Sequence, residues 1–422
     1  MGAAKGADQA IAGDEMITLD QARARDAADP LRHHRDAFAL PADTIYLDGN
    51  SLGALPRAAV AVMYDAVTRQ WGERLIRSWN EDDWIGAPQR IGDKIAGVVG
   101  AGEGEVIVAD STSVNVFKLL TALTAQRPDA THILSEAGNF PTDVHIAAGA
   151  ARAAGIDLRL VDRADVAEAI ADDTAALLLT HVHYKSGARY DMAALTKAAR
   201  AKGVPVIWDL SHSAGAVPLD LGAAGADYAV GCGYKYLNGG PGAPAFVYVA
   251  RDRQAALRPA LQGWMGDARP FAFEDAYEPA PGMGRMLIGT APMLSLLALE
   301  CGVDAMLAAD GAALWAKSQE LFDLLTGLMA ERCPDFTLVT PTDADARGSH
   351  ASFAHADAWP INRALIDAGV IGDFRAPDVL RLGLTPLYTS FEDVWRAVDV
   401  LADIMANETW RRGEYAERSA VT

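Results

Sequence analysis

The chain is poor in lysine and cysteine and has no long apolar run. Its three cysteines, Cys232, Cys301 and Cys333, are scattered over 422 residues without a CxxC pair. That excludes a disulfide framework and a cysteine-based zinc site, and it suits a reducing compartment. No stretch approaches the roughly 20 apolar residues of a membrane span. The opening segment MGAAKGADQAIAGDEM lacks the basic-then-apolar design of a secretion signal. A cytoplasmic protein without a membrane partner is expected. Positive charge is also in deficit: 37 Lys plus Arg against 56 Asp plus Glu leave a net charge of −19. A field of that sign repels phosphate backbones and argues against nucleic acid as a partner. No GxxxxGK[ST] and no strand-following GxGxxG occurs, so P-loop and dinucleotide sites have no support.

What is present is a globular composition, 50% apolar and 22% charged, in a length that suits two or three domains. Residues 1 to 55 read as an N-terminal arm and part of the smaller domain, with a helical pattern in LDQARARDAADPLRHHRDAF and a short strand entering a glycine turn in IYLDGNSLGALP. Pro56 is placed at the first helical position of an amphipathic segment from Arg57 to Arg77. Seven apolar runs of strand length then alternate with helical patterns: EVIVAD, THILS, IDLRLV, AALLLTHV, VPVIWDL, ADYAVGC and AFVYVA. Continuous apolar strands separated by helices indicate an α/β domain with a mostly parallel sheet covered on both faces, here residues 56 to 305. A long helical stretch from Pro292 through Met329 leads into residues 306 to 422. There the strands FTLVT, HASFAH and VLRLGL and the helices PINRALIDAG and FEDVWRAVDVLADIM predict a smaller α+β domain.

Only eight of the 37 basic residues are lysine, and one has an unusual setting. Lys235 lies between Tyr234 and Tyr236 in GYKYLNGGPG, whereas Lys118, Lys197, Lys202 and Lys317 fall on helical patterns that suggest a solvated face. A Schiff-base amine must be partly desolvated and rigidly held, and aromatic neighbours with a glycine turn supply both. A hairpin turn with an incidental lysine is the competing reading. Upstream, VPVIWDLSHSAG ends a strand at Asp209 with His212 three residues on. A carboxylate there would keep a pyridine nitrogen protonated, as pyridoxal 5′-phosphate requires; an ordinary helix N-cap is the alternative. Thr112 and Ser113, at a strand-to-helix junction, offer hydroxyls and helix N–H groups to a phosphate. Phe140, ahead of a proline-started helix, could stack on a flat ring near Asp143, and Thr180 closes a strand.

GNSLG (49–53), NFPTD (139–143), DLSHSAG (209–215), GYKYLNGGPG (233–242) and LRLGLTPLYTSFEDV (380–394) occur in this order. Together they resemble the kynureninases, pyridoxal-phosphate enzymes of the aspartate-aminotransferase fold type I, from about residue 20 to 410. The resemblance implies that Lys235 carries the cofactor, Asp209 faces its pyridine nitrogen and Phe140 stacks on its ring. It implies that Thr112, Ser113, Pro141, Thr142, Asp143, Thr180, His212 and Tyr234 line the phosphate and the ring edge. Trp264 and Thr290 would reach the cofactor of a neighbouring subunit, which makes the protein a homodimer with shared active sites. Arg381 would clamp the substrate's α-carboxylate, and Ser51 and Trp71 would border its aromatic end.

The activity so implied is hydrolysis of L-kynurenine to anthranilate and L-alanine in tryptophan catabolism, with Tyr234 as acid or base at the γ-carbonyl. Threonine at 290 resembles the bacterial pattern and points to L-kynurenine over its 3-hydroxy form. Lys235 and Asp209 alone would equally suit an aminotransferase or an epimerase. A cysteine desulfurase would need a mobile thiolate, which neither Cys232 nor Cys333 resembles. A non-catalytic protein of this fold would be expected to lack Lys235 or Arg381.

Overall fold

The computed structural model describes residues 17–418, so the first sixteen residues of the expected arm lie outside the described residues. The seven apolar runs all form strands: β1 (Val106–Val108), β2 (His132–Glu136), β3 (Asp157–Val161), β4 (Thr174–Thr180), β5 (Val206–Asp209), β6 (Tyr228–Gly231) and β7 (Phe246–Val249). They make one sheet in the order β1-β7-β6-β5-β4-β2-β3. β7 is antiparallel to both its neighbours, and the remaining pairings are parallel. Strands β1, β4 and β5 show why the runs are apolar at every position. Val106, Val108, Leu177, Leu179 and Trp208 pack into one layer, while Ile107, Leu178 and Ile207 pack into the other. β3 lies at the edge and exposes Asp157, Arg159 and Leu160.

One layer is filled by Ile91, Ile95 and Val99 of a helix over Ala87–Val99 and by Leu296, Leu299 and Val303 of a helix over Met293–Leu307. The other is filled by α1 (Thr112–Ala125) and α2 (Pro141–Ala154), through Val116, Leu119, Leu123, Ala147 and Ala150. Each fully buried leucine contributes about 1.5–3 kcal/mol relative to exposure.

A second core is built on the helices Gly311–Arg332, Ala358–Asp367 and Phe391–Ala406 and on an antiparallel sheet. Its strands are β8 (Thr337–Leu338), β9 (His350–Ala354), β10 (Asp373–Arg375) and β11 (Val379–Gly383), in the order β8-β9-β11-β10. The N-terminal chain joins this core. Ile45–Tyr46 pairs in parallel with Val370–Ile371, and Leu47 is buried among its side chains. The helix Leu19–Ala28 packs on Phe391–Ala406, where Asp26 accepts hydrogen bonds from the N–H groups of Phe391 (2.8 Å) and Glu392 (2.9 Å). A carboxylate so placed satisfies orphan donors at a helix N-terminus.

Four expectations are corrected. The stretch from Pro292 to Met329 is two helices, interrupted where Asp310 accepts from Ala313 N–H and caps the second. The segment from Arg57 to Arg77 is α-helical only to Asp65, then π-helical over Ala66–Arg74 and 3₁₀ over Leu75–Arg77; Pro56 is its N-cap residue and not its first helical one. Lys118 is fully buried: its Nζ pairs with Asp110 and donates to Asn115 Oδ1 (3.2 Å) and the Met286 carbonyl. Lys317 is buried too, paired with Asp29 at 2.7 Å. Helical spacing marks a face but cannot say whether a neighbouring element brings a carboxylate to it.

Candidate active site

The carboxyl ends of the parallel strands and the β6–β7 connection converge on one cavity, as expected for open α/β sheets. It is lined by Thr112, Ser113, Phe140, Thr142, Asp143, Thr180, Asp209, His212, Tyr234 and Lys235. Thr112 and Ser113 open α1, whose cap Ser111 accepts from Val114 N–H at 3.4 Å, leaving their own first-turn N–H groups outside the helical bonding pattern. Asp110 just before them takes a positive φ of 47° and is held there by buried Lys118. Phe140 is the N-cap residue of α2, which begins at Pro141. Pro141 itself is exposed and shapes the turn without lining the cavity.

Lys235 does sit in a hairpin connection, because β6 and β7 are antiparallel neighbours, but its setting is not incidental. It is 8% exposed, with Nζ 3.0 Å from His212 Nε2, 5.7 Å from the Phe140 ring centre and 5.8 Å from that of Tyr234. The GNSLG loop packs against it from outside the sheet. Gly53 N–H donates to the Tyr234 carbonyl at 2.8 Å, and a Cβ at Gly53 would fall 2.3 Å from the Lys235 carbonyl. The GNSLG and GYKYLNGGPG motifs are therefore in contact.

Asp209 ends β5 and no helix follows it, so the N-cap alternative fails. Its Oδ1 accepts from Ser211 N–H (2.8 Å) and Ser211 Oγ–H (2.6 Å), which holds the carboxylate in one orientation. Asp143 lies next to it, fully buried. Burial, and then the charge of Asp209, push the Asp143 carboxyl well above the usual carboxylate range. Thr180 Oγ1 is 2.5 Å from Asn139 Oδ1 and 3.1 Å from Asp143 Oδ2. One hydroxyl proton cannot serve both, so a protonated Asp143 donating to Thr180 satisfies the set. Burial and the charge of Lys235 hold the His212 imidazole far below its ordinary pKa, and its Nδ1 is buried without a partner. Burial also raises the Tyr234 phenol, keeping it protonated.

Beside the cavity lies an ionic cluster. Arg381, 1% exposed, forms a forked pair with Asp373 (Nε to Oδ1 2.6 Å), and its Nη2 donates to Ser51 Oγ at 3.2 Å. Arg375 joins the same Asp373 at 2.7 Å. Burial opposes it, but the hydrogen bonds and charges of the two arginines bring Asp373 down to about 2; burial and Asp373 push neighbouring Asp48 up to about 7.

The structure thus gathers ten of the expected residues in one cavity and sets Ser51 and Arg381 next to it. Trp71 (57% exposed), Trp264 (43%) and Thr290 are on the surface. The sequence reading missed Tyr184, whose ring meets Phe140 edge-on at 5.2 Å, along with Ser211 and Cys232, which line the cavity. Tyr184 and Ser211 follow strand ends and could have been found from that position. Asp373 could not, because it meets Arg381 only through the β10–β11 register.

Solved structures of the same fold include a cysteine desulfurase from Thermococcus onnurineus NA1 (17% identity, TM-score 0.76, 89% of this chain and 98% of that one). Another is a cysteine desulfurase from Escherichia coli (18%, TM-score 0.76, 89% and 98%). A C-DES variant with glycine covalently linked to its PLP cofactor also matches (18%, TM-score 0.77, 87% and 99%). The fold is fold type I of the pyridoxal-phosphate-dependent enzymes, and residues 93–229 match the DegT/DnrJ/EryC1/StrS aminotransferase family. Within that class the sequence is more specific. Residues 314–401 match the kynureninase C-terminal domain. Kynureninases from Burkholderia pseudomallei (49% identical) and Pseudomonas fluorescens (48%) align over 96% of this chain and all of theirs. The chain belongs to the kynureninase family.

Proposed function

We propose that the protein binds pyridoxal 5′-phosphate and hydrolyses the Cβ–Cγ bond of L-kynurenine, releasing anthranilate and L-alanine. The observation that carries this reading is the meeting of Lys235, Asp209 and Phe140 in one cavity of a chain from this family. The residues present fit the cofactor. Asp209 would hold the pyridine nitrogen and Phe140 the ring face, while the first turn of α1 with Thr112, Ser113 and Tyr234 would hold the phosphate. His212 Nδ1 and Asp143 Oδ1, both buried and unpartnered, mark the cavity as built for a polar occupant.

When bound, pyridoxal phosphate supplies an electron sink for charge developing on the substrate's carbons. Lys235 Nζ moves the proton at Cα and later delivers one to Cβ. His212, held neutral, accepts a hydrogen bond from Lys235 at Nε2 and orients it. Water adds to the γ-carbonyl carbon, and the Cβ–Cγ bond breaks with its electron pair passing to Cβ. Tyr234, kept as a phenol, serves as acid at the γ-oxygen while water adds, and its phenolate then takes the hydroxyl proton as Cβ–Cγ breaks to leave the carboxylic acid, a role typically worth about 10²–10⁴-fold. A desulfurase reading is not favoured: burial pushes Cys333 up to about 11 and raises Cys301, and Cys232 is buried.

A homodimer in the cytoplasm completes the reading. It is supported by exposed Trp264, whose ring stacks near Phe273 (6.5 Å, 19°) beside Phe271, and by Val60, Tyr64, Trp71 and Ile76 on the segment after Pro56. Such exposed apolar patches mark association surfaces. None of the helices among the described residues is long and apolar enough to cross a membrane. Thr290 favours L-kynurenine over its 3-hydroxy form. The test is turnover of L-kynurenine with added pyridoxal phosphate, by anthranilate fluorescence, in the wild type and Lys235→Ala. The wild type should be active and the variant nearly inactive; turnover retained by the variant would overturn the scheme.

A further inference from the structure

A guanidinium has five N–H groups, and a carboxylate clamp uses two parallel ones. Four of those on Arg381 are already engaged. Nε and one Nη2 hydrogen serve Asp373, the second Nη2 hydrogen reaches Ser51 Oγ, and Nη1 donates to the Tyr184 carbonyl. Arg381 alone therefore has one N–H left for the substrate. Arg375 stands on the same partner, with Nη2 2.7 Å from Asp373 Oδ2, but its side chain is 32% exposed where that of Arg381 is 1%. Its Nη1 donates to the Phe374 carbonyl, which leaves Nε–H and one Nη1–H without a partner among the described residues. The Ser51 hydroxyl lies between the two guanidinium groups, 3.2 Å from Arg381 Nη2 and 3.4 Å from Arg375 Nη2. Its own proton goes to Asp373 Oδ2 at 2.6 Å, so the hydroxyl ties both guanidinium groups to the same carboxylate.

We propose that Arg375 is a second ligand of the substrate's α-carboxylate, held beside Arg381 by their shared partner Asp373. Charge supports the assignment. Two guanidinium groups face one ionised carboxylate, and Asp48, the other carboxyl of the cluster, is buried with Oδ1 unpaired and remains partly protonated near neutrality. A half-buried excess of positive charge is costly until an anion balances it. Arg381 Nη1 donates to the carbonyl of Tyr184, a residue that lines the cavity holding Lys235, so the pair of arginines stands at the edge of that cavity. The proposal rests on the amino-acid substrate given above.

The experiment uses the holoenzyme with Arg375→Met and Arg375→Lys. L-alanine binding is followed by the cofactor's absorbance. 2-Aminoacetophenone, which keeps the aryl ketone and lacks the carboxylate, is measured by competition. Arg375→Met should weaken L-alanine and raise the KM for L-kynurenine by about 10- to 100-fold. It should leave kcat within about threefold and 2-aminoacetophenone binding unchanged. Arg375→Lys, which restores a point charge without the fork, should recover part of the loss. Unchanged L-alanine affinity, or equal weakening of both ligands, would overturn the proposal. A wild type that binds L-alanine without cleaving L-kynurenine would refute the activity and still decide the clamp.

Discussion

Gly53 lies where the GNSLG loop meets the lysine-bearing connection, so Gly53→Ala should damage catalysis from outside the cavity. An added Cβ would sit 2.3 Å from the Lys235 carbonyl, 2.5 Å from Asn238 Oδ1 and 2.7 Å from Asn238 Cα. Unstrained contacts between heavy atoms begin near about 3.5 Å, so the lysine-bearing backbone must withdraw by roughly 1 Å. It cannot do so freely, because Gly53 N–H is bonded to the Tyr234 carbonyl. Overpacking of this kind costs about 1–3 kcal/mol. A displacement of about 1 Å at a reacting group lowers turnover on the order of 100-fold. The assay is kcat with L-kynurenine alongside Tm. The control is Gly327→Ala, an exposed helical position where a Cβ meets nothing within 4 Å, expected to stabilise by up to about 1 kcal/mol. A Gly53→Ala protein with wild-type Tm and kcat within about twofold of wild type would refute the reasoning.

Removing buried Lys118 (Lys118→Met) leaves the Met286 carbonyl and Asn115 Oδ1 without their donor and should cost about 1–3 kcal/mol, and cofactor retention on gel filtration should fall because Asp110 sets the entry to the turn proposed to hold the phosphate. If retention is unaffected, that link is wrong. Asp48 is raised in the folded state, so its contribution to stability is full below about pH 4 and is lost as pH climbs through about 7. Asp48→Asn should accordingly gain on the wild type in Tm between pH 5 and 8, and parallel curves would exclude this. His350 is buried without a ring partner and depressed to about 3, so the wild type should lose stability as pH falls from about 6.5 towards 3, by at most about 4–5 kcal/mol. His350→Gln should flatten that acid limb in a denaturant titration series.

The sheet was legible because its strands are buried on both faces and read as unbroken apolar runs, bounded by turn residues. Lys235 and Asp209 stood out for a related reason: each interrupts an apolar pattern at the carboxyl-terminal side of the sheet, where ligands bind. What lay beyond the sequence was long-range pairing. Lys118 has the spacing of a surface residue, yet Asp110 and the Met286 carbonyl come to meet it. Asp373 and Arg375 fall in a three-residue strand too short to register as a pattern, and their meaning comes from facing Val379–Gly383. The π-helical turn after Asp65 leaves no compositional mark. The motif GNSLG signalled a site, but the reason for Gly53 is the close approach of Lys235 and Asn238, and the reason for Gly49 is that of the Thr385 and Tyr388 side chains.

The most direct test is to quantify both products in one tube, with purified protein, pyridoxal phosphate and L-kynurenine. Anthranilate and L-alanine should appear together in equimolar amounts, matching the kynurenine consumed. Cofactor binding with loss of kynurenine but no alanine, or with neither product formed, would contradict hydrolytic cleavage between Cβ and Cγ.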